Sequence, residues 1–276
     1  MLPILYRDDH YVAVHKPPGL LVHRTPLSRD RHFVLQQLRN QLGRRLYPVH
    51  RLDRATSGVL VLAFSPAAAK ALASQFRERS AEKRYLAVAR GWLEESGTID
   101  HPVYTAGKKA RKPAVTRYRR LETVELPVAV DHYPTSRYSL AEVMPLTGRY
   151  QQIRQHFKHI SHQLIGDTTW GNGRHNRFFR ERYGIHRLML HAYSLGFRHP
   201  FTGKVLHLQA DIDAQWIGLF DAFGWDYSPF TSSSTSQRDS WAPRRRAHAA
   251  PCPPCPRRRW SAECRCASHR PAPSPA

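Results

Sequence analysis

Short β-rich segments separated by a few helical ones run through the first 227 residues of this chain. Runs of Val, Leu, Ile and Tyr predict strands at Ile4–Tyr6, Tyr11–Val14, Val59–Ala63, Tyr85–Arg90 and Val205–Ala210. Two longer runs, Thr116–Val124 and Arg137–Met144, predict an antiparallel pair. Because strands and helices do not alternate strictly, the pattern predicts an α+β fold with a mixed or antiparallel central sheet and flanking helices.

Three segments carry helix signals. Ser65-Pro66 is typical of a helix start, with serine as N-cap and proline in the first helical position, and predicts a helix to about Arg79. Helical spacing of apolar residues predicts two more helices, one over Tyr150–Ile160 and a last one that ends at Gly224.

The composition changes at Ser228. Residues 228–276 are rich in Pro, Arg and Ser and contain all four cysteines, at positions 252, 255, 264 and 266. A segment with so little to bury and so much charge predicts a disordered basic tail after a folded domain over residues 1–227. The cysteine pairs suggest zinc, but one pair is flanked by proline and the other is separated by a single residue, so we expect no metal site.

The formal net charge of the 276 residues is +22, and residues 1–227 alone carry +15. This excess indicates a polyanionic partner such as RNA. A membrane surface is the alternative, but the chain lacks a basic amphipathic helix, an apolar run of spanning length and a signal peptide at its start. We therefore expect a cytoplasmic protein. No helix-turn-helix or zinc finger is visible, which argues against DNA.

The segment His50–Gly58 places one carboxylate, Asp53, between Arg51 and Arg54 and follows it with a Thr-Ser-Gly turn. Neighbouring arginines favour the ionised carboxylate and can also contact phosphates. The arrangement therefore suits an ionised nucleophile that meets a polyanion. A surface loop held by ion pairs is the alternative.

The same segment resembles the catalytic signature of the RluA branch of pseudouridine synthases. Further segments agree in the expected order: Leu5–His23 with its Lys-Pro-x-Gly turn, Lys83–Val88, Leu146–Arg154, Ile165–Asp167 and Leu190–Ala192. The resemblance covers roughly residues 2–227. Within the branch, Pro113–Thr116, Arg187–Ala192 and Phe223–Trp225 are similar to the TruC group, which modifies uridine 65 of transfer RNA.

The resemblance implies that Asp53 is the catalytic carboxylate, with Arg154 beside it to keep it ionised and oriented. Tyr85 would stack on the flipped uracil, or its hydroxyl would take the proton from C5. The net reaction is an isomerisation without oxidation, so no cofactor and no metal is expected. A solvated helix arginine and an ordinary strand tyrosine are the alternatives for Arg154 and Tyr85.

Further residues would contact the RNA. Arg51 would fill the gap that a flipped base leaves, Arg149 belongs to the Thr-Gly-Arg motif, and Ile153 would form an apolar wall of the pocket while also packing in the core. His50 either contacts phosphate or packs under its loop. Gln151 stands where the family usually has histidine, and glutamine can hydrogen-bond but cannot carry a charge.

The implied function is the isomerisation of uridine to pseudouridine in tRNA. One alternative is a related enzyme that acts on ribosomal RNA, and another is an RNA-binding protein that has lost catalysis. Presence of Asp53, Tyr85 and Arg154 together argues against the second alternative.

Two other features invite interpretation. His156, His159 and His162 are spaced like metal ligands on a helix, but no carboxylate or cysteine completes the set, and we expect RNA contact or exposure instead. The segment Gly171–Arg187 is rich in Arg, His and aromatic residues, and is either an insertion that grips RNA or a solvated loop.

Overall fold

The computed structural model of this chain describes residues 1–23, 32–107 and 110–231. The strands are β1 (Ile4–Arg7), β2 (Tyr11–Lys16), β3 (Tyr47–Pro48), β4 (Ser57–Ala63), β5 (Glu82–Arg90), β6 (Ser96–Asp100), β7 (Val103–Tyr104), β8 (Arg111–Lys112), β9 (Val115–Leu126), β10 (Ser136–Pro145), β11 (Leu190–Arg198) and β12 (Val205–Gln209). The helices are α1 (Val34–Leu42), α2 (Pro66–Glu78), α3 (Gln152–His159), α4 (Gly173–Tyr183) and α5 (Ala214–Phe223), followed by a short 3-10 helix at Ser228–Phe230.

The central sheet is mixed, as the sequence predicts. Its strands lie in the order β1, β2, β4, β11, β5, β10, β9, β6, with β3 beside β4 and β12 beside β11, while β7 and β8 form a separate pair. Strands β4 and β11 run parallel, with His191 opposite Ser57, and the other pairs are antiparallel. The α+β prediction and the predicted β9–β10 pair are therefore confirmed.

Both faces of the sheet are covered. Leu86 of β5 belongs to a core cluster with aromatic side chains of α4 and α5, whereas Ala87 packs with Phe157 of α3. Because successive side chains of a strand point to opposite faces, Tyr85 lies on the same face as Ala87, toward α3. This alternation places the tyrosine on the side of the sheet where the site forms.

The three predicted helices form close to the expected positions. The Ser65 hydroxyl accepts a hydrogen bond from the Ala68 N–H at 3.1 Å and so caps α2. Helix α5 ends at Gly224, whose φ of 68° is the left-handed conformation that glycine adopts readily. Side chains of α3 at apolar spacing, Ile153 and Phe157, face the core as predicted.

Several elements were not predicted, among them α1, α4, β6 and β11. Strand β11 carries His191, Ser194 and Gly196 among its apolar residues, which hides the strand pattern. The interpretation of Gly171–Arg187 as a solvated loop is wrong, because Phe179 of α4 is fully buried in the core.

The described domain continues past Tyr227. The Phe230 carbonyl accepts a hydrogen bond from the Ile212 N–H at 3.2 Å, and its ring lies 5.4 Å from that of Tyr193. Apart from residues 228–231, the segment predicted to be a disordered tail lies outside the described residues. All four cysteines lie outside them too. Among the described residues, no helix combines the length and the apolar composition that crossing a bilayer requires.

Candidate active site

A cavity of about 690 Å³ lies where the His50–Gly58 loop meets β5 and the start of α3. Seven side chains to which the sequence assigned a catalytic or RNA-binding role line it: Asp53, Tyr85, Arg154, Arg51, His50, Ile153 and Arg149. The three proposed catalytic groups come from a loop, a strand and a helix that are distant in the chain, so folding alone brings them together.

The loop that carries Asp53 is held by the turn at Lys16–Gly19. The side chain of Lys16 is fully buried and donates hydrogen bonds to three backbone carbonyls, including that of Arg54 at 3.1 Å. The Gly19 N–H donates to the same carbonyl at 2.8 Å. Burial lowers the pKa of Lys16 to about 7. The Lys-Pro-x-Gly turn and the signature loop therefore form one structural unit.

The Asp53 side chain is 21% exposed, and its Oδ2 lies 3.6 Å from Nη1 of Arg154. Burial raises the pKa of Asp53, while the positive charges of Arg154 and Arg51 act in the opposite direction. The expectation that arginine charge governs this carboxyl group is therefore incomplete, because desolvation is the larger effect. The arginines limit the cost of keeping a poorly hydrated carboxylate in the cavity.

The main partner of Arg154 is Asp167, which sequence reasoning did not assign to the site. Asp167 accepts hydrogen bonds from Nε and Nη2 of Arg154, both at 2.7 Å, and the two side chains are 1% and 6% exposed. It also accepts from the backbone N–H groups of Thr169 and Trp170. Arg154 is thus a buried, fixed residue rather than a solvated one. The sequence contained a signal, since this aspartate belongs to a segment that carries the family resemblance.

Gln151 precedes α3 with φ of 47°, in the left-handed region. Its Oε1 accepts a hydrogen bond from the indole Nε1 of Trp170 at 2.8 Å. An indole nitrogen can only donate, so the position requires an acceptor, and a neutral glutamine supplies one. Glutamine in place of the usual histidine therefore keeps a hydrogen bond to Trp170 without carrying a charge.

Tyr85 is half-buried on β5. It packs against two hydrophobic clusters, one that contains Leu52 of the signature loop and one that contains Ile153 of α3. Burial and the negative charge of Asp53 raise the pKa of Tyr85, so its hydroxyl is protonated at neutral pH. No hydrogen bond from this hydroxyl to another described residue is present, which leaves it available to a substrate.

His50 packs under its loop. Its ring stacks on Phe76 with centroids 4.7 Å apart, and its Nε2 accepts a hydrogen bond from the Val61 N–H at 3.1 Å. Burial, together with the charge of Lys83, lowers the pKa of His50 to about 3. An uncharged, stacked ring corresponds to the packing alternative and not to a cationic phosphate contact.

The other predicted RNA-binding residues divide between the mouth and the wall of the cavity. Arg51 and Arg149 are exposed, and Arg149 is oriented by a hydrogen bond from its Nε to the Pro113 carbonyl at 3.2 Å. Ile153 is 6% exposed and contributes to both the core and the cavity wall. Both interpretations of Ile153 therefore hold.

The three histidines on and after α3, His156, His159 and His162, lie in different environments. His156 is fully buried and bonds to Thr116 Oγ1 at 2.8 Å and the His101 carbonyl at 2.9 Å, so the expectation of RNA contact or exposure is wrong for it. His159 is exposed and stacks on His101, and His162 bonds to the Arg90 carbonyl. No group of His, Cys, Asp and Glu suited to a metal ion occurs in the described part of the chain.

Comparison with known proteins gives a consistent picture. The family model described as RNA pseudouridylate synthase matches residues 10–159. The tRNA pseudouridine synthase C of Vibrio cholerae is 46% identical over 239 residues, which cover 83% of this chain and 98% of that protein. The protein of the same name from Yersinia pestis is 46% identical over 82% of this chain and 92% of its own length.

Solved structures resemble this fold as well. Human RNA pseudouridylate synthase domain containing 1 is 28% identical, with a TM-score of 0.61 over 77% of this chain and 84% of that one. Human RNA pseudouridylate synthase domain containing 4 has a TM-score of 0.63 at 23% identity, over 80% of this chain and 93% of that one, and supports the fold alone.

Proposed function

Since this chain belongs to the RNA pseudouridylate synthase family, we propose that it isomerises uridine to pseudouridine in transfer RNA. The observation that carries the proposal is one cavity that holds Asp53 next to Arg154, with Tyr85 on the adjoining strand. Relatives that match nearly their whole length to this chain are named tRNA pseudouridine synthase C. The similarity to the TruC group extends the proposal to uridine 65 of tRNA and to a cytoplasmic location.

The reaction breaks the bond between ribose C1′ and uracil N1, turns the base, and joins C1′ to C5. C5 loses a proton and N1 gains one, so the reaction needs no oxidant, no reductant, no transferred group and no cofactor. The Asp53 carboxylate can attack C1′ or C6, or it can help to expel uracil as an anion. Arg154, held by Asp167, keeps this carboxylate in one position through each of these routes.

Tyr85 suits the later steps. Its ring faces the cavity and offers a flat surface for the detached uracil. Its raised pKa makes a resting tyrosinate unfavourable, so the hydroxyl would pass on the C5 proton through a hydrogen bond or a water molecule. Arg51, exposed at the mouth, is placed to enter the RNA stack when the uridine leaves it.

The alternatives find less support. The relatives described above are named for tRNA, and no feature of the cavity favours ribosomal RNA. The RNA-binding protein without catalysis would not need Asp53 to be desolvated beside a fixed arginine, because burying a carboxylate is costly.

The test is pseudouridine formation on an unmodified tRNA transcript, mapped by nucleotide, with the wild-type protein and Asp53→Asn. The amide keeps the shape and removes the charge and the nucleophile. We expect pseudouridine at position 65 with the wild type and a loss of at least about a thousandfold in single-turnover rate for the variant, with tRNA still bound. A variant that retains a tenth of the rate would exclude Asp53 as the catalytic group. A wild-type protein that modifies a ribosomal RNA transcript, assayed in parallel, but not the tRNA would exclude tRNA as the substrate.

A further inference from the structure

Three cations line the same cavity and take no part in the chemistry described above. Arg77 lies in the last turn of α2, Arg79 immediately follows that helix, and Lys83 is the second residue of β5. Asp53 is the one carboxylate among the described residues that line the cavity. This side of the cavity is therefore lined by three positive charges and, among the described residues, by no carboxylate.

Arg79 occupies an unfavourable backbone conformation. Its φ of 63° and ψ of 23° lie in the left-handed region, at the position that ends α2. Glycine holds that position at the ends of α1, α4 and α5, with φ between 65° and 68°. A side chain in this conformation costs about 1 kcal/mol. Residues strained in this way cluster at active sites and ligand-binding segments.

Lys83 is the most enclosed of the three cations. It is half-buried, and its Nζ donates to the Thr147 carbonyl at 3.3 Å. Burial, followed by the charge of Arg79, lowers the pKa of Lys83 to about 8. Within the described residues, no carboxylate forms an ion pair with Arg77, Arg79 or Lys83. A half-buried lysine thus lies near an exposed arginine at the edge of the cavity.

A simpler explanation is that these are solvated cations attracted by the negative end of the helix dipole. It accounts for Arg77, which lies in the last turn of α2. It does not account for an arginine at a position that glycine holds in α1, α4 and α5, or for a half-buried lysine placed beside a like charge. An anionic ligand accounts for both.

We propose that Arg77, Arg79 and Lys83 form a phosphate-binding cluster that holds the RNA backbone next to the nucleotide in the cavity. The inference rests on the proposed function, since the phosphates are those of the RNA substrate. Guanidinium groups bind phosphate with two parallel hydrogen bonds, and a lysine adds a point charge. Contacts to phosphate position a nucleic acid without selecting its sequence, so the cluster orients the substrate and leaves the choice of base to the cavity.

The first experiment measures how tRNA binding depends on salt. All proteins carry Asp53→Asn, so that no turnover occurs, and the ligand is an unmodified tRNA transcript. We expect Arg79→Ala and Lys83→Ala each to weaken binding roughly three- to tenfold and to lower the slope of log K against log salt by about 0.7 to 0.9, because each removes one phosphate contact. Arg39→Ala and Lys204→Ala remove exposed cations outside the cavity and should leave the slope unchanged.

The second experiment separates binding from folding. Arg79→Gly relieves the left-handed backbone, so it should raise or preserve the melting temperature while it weakens tRNA binding as much as Arg79→Ala. A glycine variant that binds tRNA with the parent affinity overturns the cluster. So does an equal change of slope in the two control variants, which would indicate a general field and not a site.

The two proposals fail differently. Wild-type protein that forms no pseudouridine in tRNA overturns the proposed function, whatever the salt dependence. Active wild-type protein whose Arg79 and Lys83 variants retain the full salt slope overturns the cluster alone.

Discussion

At the scale of single residues, Asp53 is placed where its charge works against folding. Its carboxyl pKa is raised above the ordinary 3.8 by burial, so the folded protein binds this proton more tightly than the unfolded chain does. The free energy of unfolding must then fall as the pH rises from the unfolded pKa through the folded one. Above that window the penalty is constant.

We therefore expect Asp53→Asn to be more stable than the wild type at pH 7. The difference should vanish as the pH falls below the unfolded pKa of 3.8, where the wild-type carboxyl group is protonated in both states. Urea unfolding at a series of pH values measures it. The exposed Asp9→Asn serves as a control for the removal of one surface carboxylate. A less stable Asp53→Asn protein at pH 7 would show that its arginine neighbours, not desolvation, dominate.

Asp167 is the residue on which the orientation of Arg154 depends. Asp167→Asn leaves a buried guanidinium without its counter-charge, which costs about 3 to 5 kcal/mol of stability in such pairs. We expect that loss in urea unfolding, and a fall in the single-turnover rate that persists at temperatures where the variant is folded. Asp131→Asn is the matched control, because its partner Arg174 is 64% exposed, and it should destabilise the protein far less. Equal effects in the two variants would contradict the assignment.

At the scale of elements, the close approach of β4 and β11 positions the signature loop. Gly58 has φ of 118°, and a Cβ there would lie 2.1 Å from the Ala192 carbonyl oxygen. Because that atom belongs to the backbone, Gly58→Ala must push the two strands apart, and we expect a loss of about 3 kcal/mol or more with a large loss of activity.

Gly184→Ala is the control for that prediction. Gly184 also has a positive φ, of 65°, but a Cβ there would meet nothing within 4 Å. It should cost about 1 kcal/mol from the backbone conformation alone. Chemical denaturation of the two variants compares them, and equal costs would mean that the strand contact is not tight.

The elements that local signals specify are those predicted correctly. Helix α2 has a serine cap and a proline start, and α5 ends at a glycine. Residues at each boundary therefore specify where the helix begins or ends. Helix α4 also has local boundary residues, the Asn172 cap and Gly184 at its end, but its polar composition hides the helix. Strand β11 has no such clear pattern, because it is stabilised by distant partners. His191 bonds to Ser57 of β4 at 2.7 Å, and Phe179 packs among aromatic side chains of other elements.

At the scale of the whole molecule, residues 228–231 pack on the domain, whereas the segment beyond them carries positive charge. A chain that ends at Thr231 keeps the contacts of Phe230 and loses the +7 charge of the segment beyond it. We expect it to retain the single-turnover rate on saturating tRNA, to bind tRNA more weakly at low salt, and to show a shallower salt dependence.

A chain that ends at Tyr227 tests the boundary itself. It loses the half-buried ring of Phe230 and should be less stable by about 1 to 2 kcal/mol than the chain ending at Thr231. Thermal unfolding of the two truncated proteins measures this difference. Loss of catalysis in the longer of the two would show that residues 232–276 take part in the reaction.

The sequence by itself determined the fold class and the family, and it named seven residues that line one cavity. The fold class follows from local strand and helix patterns, and the family follows from motifs that occur in a fixed order along the chain. Only the tertiary structure decided that Asp167 holds Arg154, that His50 packs instead of meeting phosphate, and that burial outweighs arginine charge at Asp53. These outcomes depend on distances and on access to water between residues far apart in the chain. Spacing along a sequence contains neither quantity.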